Sequence, residues 1–360
     1  MSQSPSNASK ANVDFFSTST FKLILLVGMV LQNSATVLVG RYTRSGVRLE
    51  DQYVVNHLIV VTELGKLFLS CVFEYVSTNG GLLKSIQDNI IDRPYDAFKI
   101  MIPALLYLVQ NTLLYVALAN LTAPLFQVTY QAKLVTTAIV SVIMLNRKYS
   151  PQQWVCLVAL SVGVAVVVLD RQENKAGGEA KTDQSLGLGL ISVTVACLSS
   201  ALAGVYFEKV VKNPSGGRQM PVSVWMRNIQ LAFFSVVIAI IQGMMDGGHP
   251  EKASLSYFHG FTFWPCVLVC LQAGGGLLVA AVIKYADNVL KGLATGVSVC
   301  FATAVSFVLF GTAISGQFVV GASIILVSVY FFSNPIQKKD KSNSLATSNS
   351  ATEMKTMLPK

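Results

Sequence analysis

Residues 126–145, FQVTYQAKLVTTAIVSVIML, are apolar enough to span a membrane and yet carry Gln127, Tyr130, Gln131 and Lys133. An ammonium near the middle of a bilayer segment costs about 2.5–3.5 kcal/mol on insertion scales, so a lysine there calls for a compensating partner. Phe126 and Tyr130 are four residues apart and Lys133 follows three later, which puts two rings and an ammonium on one helix face. Tyr107 and Asn111 share the four-residue spacing on the preceding segment. Lys133 lies about 11 residues from either end of its run, too deep to snorkel easily, and no acidic residue shares its helix. A stripe of aromatic, amide and ammonium groups suits a ligand with a flat ring, hydroxyls and anionic oxygens, the chemistry of a nucleotide.

Few other ionisable groups fall inside apolar runs. Glu63 and Lys66, three apart, either neutralise each other or take part in gating. Glu208 and Lys209 sit at a helix end and read as a solvated or headgroup-facing pair, Arg227 as an interfacial anchor or a partner for Glu208, and Lys284 as a snorkelling side chain. Lys291 follows the break YADN and stands one turn into the next helix, which makes it a second candidate ligand contact. Gly274, Gly275 and Gly276 are not followed by GK[ST], so they form no phosphate-binding loop, and close helix packing or a bend accounts for them. The six cysteines lie in apolar runs without CxxC or His-paired spacing, and the three histidines are scattered, which indicates neither a disulfide framework nor a metal site. No catalytic constellation emerges, and the net charge of +9 is not gathered into a basic domain for nucleic acid.

The elements that must position these groups are membrane helices. With 52% hydrophobic and 12% charged residues, the chain is far from the ~25% charge of soluble domains. Apolar runs predict ten spans, near 21–40, 53–76, 98–119, 122–145, 152–170, 185–211, 223–245, 261–285, 287–313 and 318–334. The fold expected is an all-α membrane protein of ten transmembrane helices in two inverted five-helix repeats, residues 21–170 and 185–334. Flanking them are an N-terminal tail, 1–20, a loop, 171–184, and a polar C-terminal tail, 335–360, read as disordered. Loop lysines and arginines place both termini in the cytosol. The segment LNRKYSPQQWVCLVALSVGVAVV begins about 165 residues before FGTAISGQFVVGASIILVSVYF, and this weak internal likeness suggests the repeats. Five helices per repeat forces opposite orientations, which puts a binding site at the repeat interface near the midplane. An alternating-access carrier for an organic anion fits these features better than an enzyme or a channel.

RYTR, VQN, FQVTYQAKLVTTAIVSVIMLNR, LAGVYFEKVVK, VWMRNIQL and GGLLVAAVIKYADNVLKG occur in the order found in Golgi nucleotide-sugar transporters. The chain resembles the branch containing the UDP-galactose, UDP-N-acetylglucosamine and CMP-sialic acid carriers, from Arg41 to the last helix. The resemblance implies a multi-pass Golgi protein that exchanges a cytosolic nucleotide sugar for a lumenal nucleoside monophosphate, with no ATP, sodium or metal and no other cofactor. Its nucleotide pocket falls on Tyr107, Asn111, Lys133, Ser200, Asn228 and Lys291, with Gln127 and Tyr130 on the same face as Lys133. Glu63 and Lys66 match the acidic–basic pair near the sugar end. Phe126 and Ala232 replace tyrosines of the CMP-sialic acid carriers, and Thr112 stands where a second asparagine is common. These departures favour UDP-galactose, with UDP-N-acetylglucosamine next. A scaffold for glycosyltransferases and a metabolite exporter of the same superfamily are the alternatives. Besides lipid and substrate, a homodimer or glycosyltransferase association are the partners left open.

Overall fold

A computed structural model describes residues 19–43, 48, 51–121, 123–173, 185–213, 222–245, 257–310 and 315–334. These form helices α1 (Ser19–Tyr42) and α2 (Val55–Ser77), a short α3 (Leu82–Ile86) continued by a π-helical turn (Gln87–Ile91), then α4 (Pro94–Phe98), α5 (Met101–Asn120), α6 (Ala123–Tyr130) and α7 (Ala132–Leu145). They continue as α8 (Pro151–Glu173), α9 (Leu186–Lys212), α10 (Val224–Met245), α11 (Phe263–Tyr285), α12 (Asn288–Phe310) and α13 (Gly316–Ser333). Among the described residues, nine helical segments are long and apolar enough to cross a membrane. The remaining expected span, 53–76, is occupied by the 23-residue helix α2, which carries Glu63, Lys66 and Glu74. The chain is an all-helical, multi-pass membrane protein. Large apolar side chains such as Phe68, Ile143, Val308 and Val320 point outward, as lipid-facing helices require.

The expected fourth span is not one continuous helix. It breaks at Gln131, whose backbone N–H bonds to Val128 and whose carbonyl accepts from Leu134 N, both over three residues. That tightening exposes the Gln131 carbonyl sideways, and the Ser161 hydroxyl of α8 donates to it at 3.2 Å. A broken helix at membrane depth persists only where its freed backbone groups find such partners. The break falls between Tyr130 and Lys133, within the polar stripe. The sequence 77–100 also folds into short helical pieces where only a connection was expected.

Pairwise packing sets the frame. α1 lies against α11 and α12, α9 against α5, α6 and α7, α2 against α10 and α11, and α8 against α13. The α8–α13 contact is close because Gly163 and Gly321 face each other: a Cβ on either would come within about 3.0 Å of the other's carbonyl oxygen. Side chains reinforce the apolar contacts. Gln32 of α1 donates to the Leu271 carbonyl of α11, and the buried Ser34 donates to the Ser298 carbonyl of α12. α9 is the most enclosed helix: Val193, Ala196, Ala201, Val205 and Val211 are fully covered.

Candidate functional site

α10 presents one face to an internal cavity of about 290 Å³ between α2, α5, α9 and α11. Glu63 and Lys66 from α2, Tyr107 and Asn111 from α5, and Asn228 from α10 supply polar wall, and Ile59, Leu108, Phe207, Leu231 and Ile283 supply apolar wall. Five of the sequence-predicted residues are therefore brought to one space. Glu63 and Lys66 form an ion pair at 2.6 Å, leaving Glu63 Oε2 buried without a hydrogen-bond partner among the described residues. Gly276 makes room for this pair, since a Cβ there would collide with the Lys66 stem. The amide nitrogen of Asn228 is likewise buried with nothing to donate to. Unpaired buried polar groups are costly, and an acceptor and a donor left open on the walls of one cavity are groups that a ligand could satisfy.

Tyr130, Lys133 and Lys291 do not wall that cavity but stand beside it. Lys133 Nζ donates to the Tyr130 hydroxyl at 3.1 Å and lies 5.2 Å from the ring centroid. Tyr130 stacks on Phe126 with centroids 5.7 Å apart, and its hydroxyl also accepts from Gln110 at 3.5 Å. α5 links the two regions, because its Tyr107 lines the cavity while its Gln110 donates to the Tyr130 hydroxyl. Lys291 projects from α12, which packs on α7, the helix that carries Lys133. Two contacting helices thus each contribute a lysine, a pairing of like residues that suits a bound anion. Ser200 is buried on α9 and does not wall the cavity. The side chain of Gln127 lies outside the described residues.

An ionic network closes the end of the bundle where α7 and α9 finish and α12 begins. Glu208, fully buried, accepts from Arg147 at 2.6 Å and from Lys212 at 2.7 Å, and its second oxygen accepts the Asn288 backbone N–H at 3.0 Å. Arg147 also reaches Asp287 at 3.0 Å, and Asp287 caps α12 through Leu290 N at 2.6 Å. Lys212 donates in addition to the Ala286 carbonyl. Partial burial works against the Arg147 guanidinium, but Asp287 and Glu208 outweigh it and hold its pKa above the ordinary value. The expected solvated Glu208–Lys209 pair is corrected by this geometry: successive helical residues point about 100° apart, so Lys209 faces out while Glu208 faces in. Arg227 is no interfacial anchor and does not meet Glu208. It is wholly buried and pairs with Asp96 at 2.7 Å, with Gln230 at 3.0 Å beside it.

Gln110, Ser235 and Gln242 were not singled out by sequence, although each adjoins this region. Ser235 and Gln242 follow Asn228 at intervals of seven, a periodicity that would have put all three on one α10 face.

Comparisons with known proteins agree with the geometry. A profile of the nucleotide-sugar transporter family matches residues 17–333. The UDP-galactose translocator of Homo sapiens is 40% identical over 318 residues, covering 87% of this chain and 77% of that protein. The UDP-N-acetylglucosamine transporter of Bos taurus is 36% identical over 319 residues, covering 88% and 96%. A solved crystal structure at 11% identity superposes with a TM-score of 0.63, covering 88% of this chain and 97% of that one, and so shares the fold. With ionisable groups held at membrane depth around one cavity and a family match over nearly all its helices, the chain belongs to the nucleotide-sugar transporters, which are carriers and not enzymes.

Proposed function

We propose that this protein carries a UDP-sugar, UDP-galactose foremost, from the cytosol into the Golgi lumen in exchange for UMP, with both termini cytosolic. The observation that carries the reading is the cavity walled by Tyr107, Asn111, Asn228 and the Glu63–Lys66 pair, in a bundle whose contacting helices α7 and α12 carry Lys133 and Lys291. The lysines are the seat of the phosphates and the adjoining aromatic and amide groups that of the uridine. At about 290 Å³ the cavity lies at the lower edge of ligand-pocket volumes, ~300–1,000 Å³, so the whole molecule occupies it together with the region of Tyr130 and Lys133. UDP-galactose translocators among the relatives are somewhat more similar than UDP-N-acetylglucosamine transporters, in line with Phe126 and Ala232.

Alternating access is supported by the packing. Shifting every long helix by five exchanges α1 with α9, α5 with α11 and α6–α7 with α12, and under that exchange the contacts α1–α11 and α1–α12 become α9–α5 and α9–α6–α7. The pairs α2–α10 and α8–α13 map onto themselves. That symmetry supports a chain built as two repeats, and inverted repeats of this kind would rock against each other around a central site. In this reading the Arg147–Glu208–Asp287–Lys212 network is the cytosolic closure, broken and remade in each cycle.

Because UDP-sugar and UMP share the nucleotide, one pocket serves both directions, and an empty pocket with two ammonium groups resists reorientation. Proteoliposomes containing the purified protein are expected to take up labelled UDP-galactose only when preloaded with UMP. Equal uptake with and without UMP refutes exchange, and stronger competition by CMP- or GDP-sugars than by UDP-sugars refutes the substrate class.

A further inference from the structure

We propose that Gln242, with Ser235, reads the sugar of the transported molecule; this rests on the nucleotide-sugar reading above. Asn228, Ser235 and Gln242 are each seven residues apart on α10 and all line the cavity, so they stand at steps of about 10.5 Å along one face. α10 runs antiparallel to α2, since Val222, Met226 and Ile229 at its start pack on Leu67 and Cys71 near the end of α2. Gln242 therefore lies towards Ile59, at the end of the cavity away from Asn228, and Glu63 stands between the two. The span from Asn228 to Gln242 is about 21 Å, so the two residues mark opposite ends of the cavity.

The chemistry at this end is that of a carbohydrate seat. Neither Ser235 nor Gln242 makes a hydrogen bond to another described residue, and Glu63 Oε2 has no partner among them either. A hydroxyl and an amide each donate and accept, while a carboxylate oxygen accepts, which is the complement of adjacent sugar hydroxyls. Among the described residues lining the cavity, Lys66 is the one cation, and it lies towards Asn228 and is paired with Glu63 at 2.6 Å. The phosphates belong with Lys133 and Lys291, and the neutral hexose belongs with Gln242.

Displacement of labelled UMP from the purified full-length protein by unlabelled UMP and by UDP-galactose tests the assignment. In Gln242→Leu the UMP affinity is expected to stay within about twofold of the unchanged protein, while UDP-galactose weakens about three- to tenfold, the effect of one or two lost hydrogen bonds. Ser235→Ala is expected to show the same split with a smaller change. Parallel loss of UMP and UDP-galactose makes Gln242 a packing residue and overturns the proposal, as does undiminished UDP-galactose affinity. Should the leucine variant fail to fold, Gln242→Asn, which keeps the amide but shortens its reach, gives the same comparison. Absence of UMP binding in the unchanged protein refutes instead the functional reading beneath.

Discussion

Replacing Glu208 by glutamine removes one charge from the closed end of the bundle and keeps the side chain's shape. Glu208 accepts from Arg147 at 2.6 Å, Lys212 at 2.7 Å and Asn288 N at 3.0 Å, in a site where its side chain is 1% exposed. Removing one partner of a buried pair costs about 3–5 kcal/mol. Here the cationic partners are 30% and 27% exposed and regain water, and Arg147 keeps Asp287 at 3.0 Å, so about 2–3 kcal/mol is the expected cost to the closed arrangement. If the network is the cytosolic closure, that loss shifts the ratio of closed to open carriers roughly 30- to 150-fold towards open. Ala104, which lines the cavity one turn into α5 at this end, supplies the reporter. In a background with the six native cysteines replaced, Ala104→Cys is treated with a membrane-impermeant maleimide from the Arg147 side. Labelling is expected to accelerate markedly in Glu208→Gln and to slow again with a UDP-sugar on the opposite side. A lowered Tm with unchanged labelling would show that the network is static scaffolding and refute the reasoning.

Lys133→Ala and Lys291→Ala are each expected to abolish thermostabilisation by UMP while the protein still purifies as a monodisperse folded species; retained stabilisation places the phosphates elsewhere. Arg227→Met removes the 2.7 Å partner of the buried Asp96 and leaves it the more distant, half-exposed Lys99 at 3.6 Å, so a cost of about 2–4 kcal/mol is expected, seen as a clear fall in Tm. Because that pair packs the bundle outside the cavity, the surviving folded fraction should bind UMP normally, and a selective loss of binding would assign Arg227 to the site.

The broken fourth span shows how far local pattern reaches. Sequence locates the helix and its polar stripe, because apolar length and residue spacing are properties of one segment. It does not locate the break at Gln131, which depends on Ser161, thirty residues away, accepting the task of satisfying a carbonyl. Glu208 fails more sharply. Next to Lys209 in sequence, it reads as half of a surface pair, yet its partner Arg147 is 61 residues distant and belongs to the other half of the chain. Asp96 and Arg227 meet across 131 residues, and nothing in either neighbourhood announces the pairing. Ser235 and Gln242 were within reach of the seven-residue spacing, but small or neutral polar residues in an apolar run attract notice only once a cavity is seen.

What the sequence determined alone is what solvent imposes on single segments. Long apolar runs become helices in a membrane, since only a helix satisfies its backbone polar groups within a single segment, and rare charges within them carry meaning because they are expensive. The tertiary structure alone decided which of those charges neutralise each other and which stay turned towards an empty space. Lys66 was claimed by Glu63, Arg227 by Asp96 and Arg147 by Glu208, while Lys133 found the Tyr130 hydroxyl rather than a carboxylate. That choice depends on helix rotation and on contacts between distant segments, where a few ångströms separate an ion pair from a binding site.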